Sequence, residues 1–366
     1  MSTDPVELTR ALLRCNSVTP RDGGAQAVLI DVLEAAGFVV HRLRFGEIEN
    51  FFAERAGTGR HLCFAGHTDV VPPGNGWGHD PFGAEEIEGI MYGRGAVDMK
   101  GGIAAFVAAA LAVPGHVSLL ITGDEEGEAK DGTVRVLEWL AAQGRMPDFC
   151  VVGEPTCRAT LGDVVKIGRR GSLNARITVT GRQGHAAYPH LADNAVHRIL
   201  PLLQDLATAT LDEGTEAFEP SSLQITTVDV GNEVTNVIPG QVSARLNIRF
   251  NELHSGASLT AWLERRIAAH CPGAKLEVSV SGESFRSRPG EGLAALLAAI
   301  EAETGCAPEQ NTGGGTSDAR FISRHCPVAE FGLVGATMHK VDEAVPVADL
   351  RRLSAIYARF IGMFCS

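Results

Sequence analysis

No apolar run in this 366-residue chain reaches the roughly 20 residues that a membrane-spanning helix needs. The most apolar helical stretch, Ile103 to Val113, is short, alanine-rich and flanked by glycines, so no membrane partner is expected. There is also no lysine- or arginine-rich block, and the formal net charge is −12. Phosphate binding needs clustered positive charge, so nucleic acid is not expected as a partner. The eight cysteines (Cys15, Cys63, Cys150, Cys157, Cys271, Cys306, Cys326, Cys365) contain no CxxC spacing, and several sit in apolar strand-like runs. They read as reduced core residues, not as disulfides or a thiolate metal site. Any metal must therefore be held by histidine and carboxylate. The opening MSTDPVELTRALLRC lacks the basic-then-apolar order of a secretory signal and reads as an amphipathic helix, which predicts a cytoplasmic location. No internal repeat or long low-complexity segment appears.

What is present is an ordinary globular composition, 45% hydrophobic and 21% charged, in a chain long enough to predict two domains. The first half alternates helix and strand patterns. Asp22 to Ala36 has helical spacing and stops at Gly37, FVVHRLRF and NFFAERAG read as strands, and HLCFAG reads as a buried strand. The helix KGGIAAFVAAALA, the strand VSLLITG, the helix GTVRVLEWLAA and the strand DFCVVG follow. Such alternation implies an α/β fold with a mostly parallel sheet covered by helices. The pattern then changes to SLNARITVTG, a helix over Ala192–Leu206, SSLQITTVDV, QVSARLNIRF, the helix ASLTAWLERRIAAH and AKLEVSVSG. That order is β-α-β-β-α-β, the ferredoxin-like arrangement. The expected division is a catalytic domain of residues 1–171 and 286–366 with an inserted domain of residues 172–285. The larger domain resumes with the helix EGLAALLAAIEAETG, then VAEFGLVG and a final helix from Val347.

Histidines and carboxylates collect where strands of the larger domain end. HLCFAG runs into His67-Thr68-Asp69, VSLLITG into Asp124-Glu125-Glu126, DFCVVG into Glu154, and the late apolar run FGLVGATM into His339. Ligands of open α/β sheets bind at the carboxyl ends of strands, so groups far apart in sequence converge there. Asp98, in GRGAVDMKGG, precedes a glycine-punctuated helix where backbone can pass closely. One such carboxylate alone reads as a solvated loop residue, but four strand ends that each deliver a ligand type predict a metal site. In His67-x-Asp69, residues i and i+2 of an extended segment share a side, so the Asp69 carboxylate can accept the second N–H of a ligating imidazole. Glu125 and Glu126 are adjacent and point different ways, so one can bind metal while the other faces the attacking water. A dinuclear N/O site suits zinc, with cobalt as a substitute.

GHTDVVPPG, GRGAVDMKGG, TGDEEG and VVGEPT, in that order, resemble the zinc-dependent aminoacylase and carboxypeptidase superfamily over nearly the whole chain. Within it, KIGRRGSL, GRQGHAAYPHLADNAVH, TGGGTSDARF and TMHKVDE look most like the succinyl-diaminopimelate desuccinylases. The resemblance implies two zinc ions per subunit, with Asp98 as the bridge. It implies His67 and Glu154 on one metal, Glu126 and His339 on the other, Glu125 as general base and Asp69 behind His67. The inserted domain would be a lid and the seat of a homodimer, its His185 donating to the oxyanion in a partner subunit's active site. On its own His185 reads as a turn histidine beside Gly184.

The implied reaction is hydrolysis of N-succinyl-L,L-diaminopimelate to succinate and L,L-diaminopimelate, with an acetylornithine deacetylase-like enzyme as the alternative. Arg169, Ser172, Asn236, Arg249, Gly315 and Thr316 stand where the family contacts a small substrate rich in carboxylates. Arginine suits that task because its planar fork holds a carboxylate in two places. Gly313-Gly314-Gly315 is no phosphate cradle, since no GK[ST] follows. Many desuccinylases have Asn before the Ala-Thr-x-His segment, where this chain has Gly335.

Overall fold

The computed structural model describes residues 3–366, which fall into two compact units. One comprises the chain through Ile167 together with Ser287–Asn311 and Ser317–Ser366; the other comprises Gly168–Arg286 and Thr312–Thr316.

The first unit is built on an eight-stranded sheet. Its order is Val39–Phe45, Ile48–Arg55, Val117–Thr122, Leu62–His67, Phe149–Val152, Val328–Glu330, Val164–Lys166 and Glu309–Asn311. The four strands from Val117–Thr122 to Val328–Glu330 are parallel and wholly buried, which is why they read as unbroken apolar runs. The first two strands depart from simple alternation with helices. They form an antiparallel hairpin closed by Gly46-Glu47, with Gly46 at φ 57°.

Helix Lys100–Ala112 is buried from Lys100 to Ala110, and its small residues let it lie directly on the sheet. Phe64 and Phe106 stack at 4.1 Å, and Tyr357 meets both edge-on. The Tyr357 hydroxyl donates to the Phe331 carbonyl at 2.6 Å, which satisfies its polar end in the core. Helix Val347–Phe364 buries Val347, Leu350, Leu353, Tyr357, Phe360, Ile361 and Phe364, a stripe at helical spacing.

Two features differ from the sequence expectation. The late apolar run leaves the ladder after Glu330: the Phe331 amide makes a last bond to the Val152 carbonyl, and the bonds that follow join the segment around Cys157 (Cys157 to the Leu333 carbonyl, Gly335 to the Cys157 carbonyl). His339 therefore follows a short turn, Gly335–Thr337, instead of a strand end, and stands at φ 61°. A small sheet of Glu85–Ile87, Ile90–Tyr92 and Ala344–Pro346 was also not expected; three residues per strand are too few to show an alternation.

The second unit has the ferredoxin-like order. Strands Gly171–Thr180, Ser222–Asp229, Gln241–Phe250 and Lys275–Gly282 alternate with helices Ala195–Thr208 and Gly256–His270 as β-α-β-β-α-β. In space the sheet runs Ser222–Asp229, Gln241–Phe250, Gly171–Thr180, Lys275–Gly282, with every neighbouring pair antiparallel. Alternate residues Leu173, Ala175, Ile177 and Val179 face a core shared with Ile199, Leu202, Leu259 and Leu263. The first of these helices starts at Ala195, later than the apolar pattern implied, because the Asn194 side chain accepts from the Val196 and His197 amides. Ser255 and Ser258 cap the second reciprocally. No helix among the described residues is long and apolar enough to cross a membrane.

Candidate metal centre

Register explains why distant residues meet in the first unit. His67 lies opposite Thr122, so the turn carrying Glu125 and Glu126 opens beside it. Ala65 lies opposite Val152, so two residues further along Glu154 comes level with His67. Asp98 reaches the same point from the N-terminal end of helix Lys100–Ala112, and the glycines make that approach feasible. A Cβ on Gly153 would lie 2.3 Å from the Phe64 ring and 2.7 Å from the Met99 methyl. One on Gly66 would also lie 2.7 Å from Met99.

The two oxygens of Asp98 face two different histidines. Oδ1 is 3.3 Å from His67 Nε2, and Oδ2 is 3.1 Å from His339 Nε2. Glu154 Oε1 lies 3.9 Å from His67 Nε2, and Glu126 Oε1 lies 2.8 Å from His339 Nε2. Three buried atoms here have no hydrogen-bond partner: His67 Nε2, Asp98 Oδ1 and Glu154 Oε1. An unpartnered buried polar atom costs about 1–3 kcal/mol, more when charged, so three at one point need an explanation. All three are lone-pair donors that a divalent cation would satisfy together, and the donor set of imidazole and carboxylate suits zinc.

Electrostatics lead to the same fit. Burial pushes the Glu154 carboxyl well above its usual range, and neighbouring Asp98 and Glu125 add to the shift. Burial would lower the His67 imidazole, yet Asp69 and Asp98 hold it well above the ordinary histidine value. Asp98 and Glu126 raise His339 to about 10. Burial would raise Asp98 as well, but His339 and His67 hold it below the usual range. Carboxylates thus outnumber the imidazoles around one point, and the protein alone balances them only by gathering protons. Bound cations would take the place of those protons.

Two groupings bring possible ligand atoms within 4.8 Å of one another: His67, Asp98 and Glu126, and His67, Glu125 and Glu154. Glu126 falls in the first grouping and Glu125 in the second. Glu125 is half-buried, and burial, with Asp318, Glu126 and Asp98 outweighing His67, pushes its carboxyl up to about 8.

The role expected of the Asp69 carboxylate needs correcting. His67 Nδ1 donates to the Asp69 backbone carbonyl at 2.9 Å, while the nearest carboxylate oxygen is 3.6 Å away. The tautomer is still fixed with Nε2 free to ligate, but by the main chain. The strand ends at His67, so the same-side rule of extended backbone does not reach Asp69. The Asp69 carboxylate instead accepts from the Thr19 hydroxyl at 2.7 Å and from the Glu125 and Glu126 amides at 3.3 and 3.1 Å. It holds the turn that presents both glutamates. Thr19 gave no signal in the sequence.

A third grouping, Glu54, His61 and His116, lies elsewhere and is already satisfied. His61 bonds Ser118 at 2.7 Å, His116 bonds Glu54 at 2.8 Å, and Arg145 also holds Glu54. Sequence reasoning missed the buried pair Arg94–Glu343, joined at 2.8 Å, although Glu343 closes the quoted motif TMHKVDE.

The remaining expected site residues lie in the second unit, in two groups. Arg169 is buried and donates to the Gly315 carbonyl at 3.0 Å. Ser172 stands opposite Arg249 across the ladder, and Arg249 donates to the Asn247 side chain at 3.1 Å. Thr316 is half-buried at the end of the same glycine loop. His185 and Asn236 form the other group. Both are exposed; His185 Nδ1 accepts from the Ala187 amide, and the Asn236 carbonyl accepts from the Ala186 amide. At Gly335, a Cβ would lie 2.9 Å from the Pro155 carbonyl, so the backbone here leaves little room for a side chain.

Comparison with known proteins shows the family. The description of peptidase family M20/M25/M40 matches residues 63–363. Succinyl-diaminopimelate desuccinylase of Acidiphilium cryptum is 61% identical over 362 residues, 98% of each chain. The enzyme of the same name from Gluconacetobacter diazotrophicus is 62% identical, over 98% of this chain and 97% of its own. Among solved structures, an M20 family metallo-carboxypeptidase from Sulfolobus solfataricus superposes with TM-score 0.80 at 14% identity, over 100% of this chain and 99% of that one. A dinuclear metal binding peptidase of the M20 family from Bacillus subtilis gives 0.69 at 17% identity, over 99% and 97%. These last two show a shared fold. The chain belongs to peptidase family M20/M25/M40 and is a hydrolase of that family.

Proposed function

We propose that this chain hydrolyses the amide of N-succinyl-L,L-diaminopimelate to succinate and L,L-diaminopimelate, as a cytoplasmic step of lysine and diaminopimelate synthesis. The observation that carries the reading is 61–62% identity, along essentially the full chain, to two enzymes named for that reaction. The cluster of unpartnered ligand atoms supports a metal-dependent hydrolysis.

Two zinc ions fit the donor set, with cobalt as a substitute. His67 and Glu154 would hold one, Glu126 and His339 the other, and Asp98 both. When bound, such ions supply Lewis-acid polarisation of the amide carbonyl and acidify water. The chain's own part in the reaction is proton handling and orientation. Glu125 is the proposed general base: it takes a proton from the attacking water and passes it to the leaving amine. Asp69 keeps Glu125 and Glu126 in place through their amides.

The unit around residues 172–285 is the proposed lid and dimerisation domain. Its outer strands Ser222–Asp229 and Lys275–Gly282 end the sheet, and pairing such an edge with a second copy would cover it. His185 is the proposed oxyanion donor to a partner subunit. Arg169, Ser172, Asn236, Arg249, Gly315 and Thr316 are the proposed substrate-binding groups, and their two arginines suit carboxylates.

The test is turnover by the zinc-loaded protein. Release of succinate from N-succinyl-L,L-diaminopimelate is expected. Hydrolysis of acetylornithine with no succinate release would overturn the proposal in favour of a deacetylase.

A further inference from the structure

Asp98 and His339 reach the candidate metal centre from segments about 240 residues apart in sequence, and both segments end at one buried side chain. Glu343 is completely buried in the first unit. Its Oε1 accepts from the Val97 amide at 2.9 Å and the Asp98 amide at 3.1 Å. Its Oε2 accepts from the Gly95 amide at 3.1 Å and from Arg94 Nη1 at 2.8 Å. Its own carbonyl accepts from the Gly93 amide at 2.9 Å. One residue thus engages four of the six amides from Gly93 to Asp98, the loop that delivers the ligand.

The other side of Glu343 leads to His339. Thr337 Oγ1 donates to the Ala344 carbonyl at 3.0 Å and accepts from the Ala344 amide at 3.2 Å, closing the loop that carries His339. Ala344–Pro346 then pairs with Ile90–Tyr92, next to the Asp98 loop. His339 at φ 61° and Asp342 at φ 54° give this loop its tight course, and Asp342 caps the Gly78 and His79 amides. Arg94 is fixed in turn by the Pro73 carbonyl at 3.2 Å and the face of Trp77 at 5.1 Å.

We propose that Glu343 is a positioning residue that sets the spacing of Asp98 and His339, and through it the metal affinity of the side of the centre these two share. The proposal rests on the metal-centre reading above. A carboxylate that only balanced Arg94 would need one or two contacts; this one spends its acceptor capacity on the amides beside a ligand. Its donors lie on the ligand's own backbone, so moving it moves the ligand. Outer groups that orient ligands typically control metal affinity about 10- to 100-fold.

The test compares zinc binding to wild type, Glu343→Gln and Glu343→Asp, measured by competition with a chromophoric chelator. Glu343→Gln removes charge at constant shape; Glu343→Asp keeps charge and withdraws the acceptor by one methylene. Leu296→Ala, a core truncation in helix Glu291–Thr304, controls for lost stability. The expected result is a 10- to 100-fold weaker second zinc in both Glu343 variants, with near-wild-type affinity in Leu296→Ala at a similar loss of melting temperature. The visible spectrum of the cobalt-loaded Glu343 variants should also change. Two zincs bound with wild-type affinity by either folded Glu343 variant, or equal weakening in Leu296→Ala, overturns the proposal alone. A wild type that binds no zinc overturns the metal centre and the proposal with it.

Discussion

Replacing Glu154 by Gln should have opposite effects on stability with and without metal. Glu154 is 9% exposed, and its Oε1 has no hydrogen-bond partner. Without metal, an ionised carboxylate there would add negative charge to a cluster already crowded with it, so the folded chain must hold a proton on Glu154 as pH rises. Gln has the same shape and no charge, and its amide can donate towards neighbouring acceptors. Relief of one unsatisfied buried carboxyl atom is worth about 1–3 kcal/mol, or roughly 1–4 °C for a chain of this size. The sign of the pH dependence follows from linkage. Burial raises the folded-state value of Glu154 above its unfolded one, so the folded chain holds more protons, and wild type loses stability as pH climbs above the ordinary carboxylate range. The advantage of Glu154→Gln in chelator should therefore grow from about pH 5 to pH 8. With zinc the order reverses. Wild type at a thousandfold excess over its Kd gains about 4 kcal/mol from binding, and the variant forfeits most of that because an uncharged amide is a poor zinc ligand. The assay is thermal unfolding of both proteins across pH, in strong chelator and in zinc. A variant that is destabilised by the same amount in both conditions would refute the reasoning, because Glu154 would then be a structural hydrogen-bonding residue.

Three further outcomes are expected. Glu125→Gln should lower kcat about 10²- to 10⁴-fold, the usual worth of a general base, while zinc stoichiometry by elemental analysis stays at the wild-type level. Asp69→Ala should release the Glu125–Glu126 turn by removing the acceptor of both amides; zinc affinity should drop about 10-fold or more, while His67 keeps its backbone hydrogen bond, visible as an unchanged tautomer by NMR. Gly153→Ala would put a Cβ 2.3 Å from Phe64, and overpacking of that kind should cost about 1–3 kcal/mol in a denaturant titration.

Much of the fold was legible because side-chain periodicity follows burial directly. The parallel strands read as continuous apolar runs since both faces are covered, and those of the second unit alternate since one face is open. Legibility failed where length or context interfered. Glu85–Ile87 and Ile90–Tyr92 are too short to display a period. The run through Phe331 and Leu333 stays apolar after its strand has ended, because it is buried against the Cys157 segment without being in the ladder. His67-x-Asp69 misled on detail for a related reason: the spacing rule holds only while the backbone stays extended, and it stops at His67.

The sequence by itself determined which side chains stand at the carboxyl ends of the buried strands, and that their chemistry is imidazole and carboxylate, not thiolate. Local patterning suffices for that, since each strand predicts its own end. Only the tertiary structure decided how those ends combine. Strand register brings Glu154 level with His67, and helix packing turns the two oxygens of Asp98 towards two histidines. It also decided that a main-chain carbonyl sets the His67 tautomer, and that Glu343 joins the Asp98 and His339 loops. Backbone groups make these contacts across the chain. They are the same for every residue type and leave no mark in the sequence.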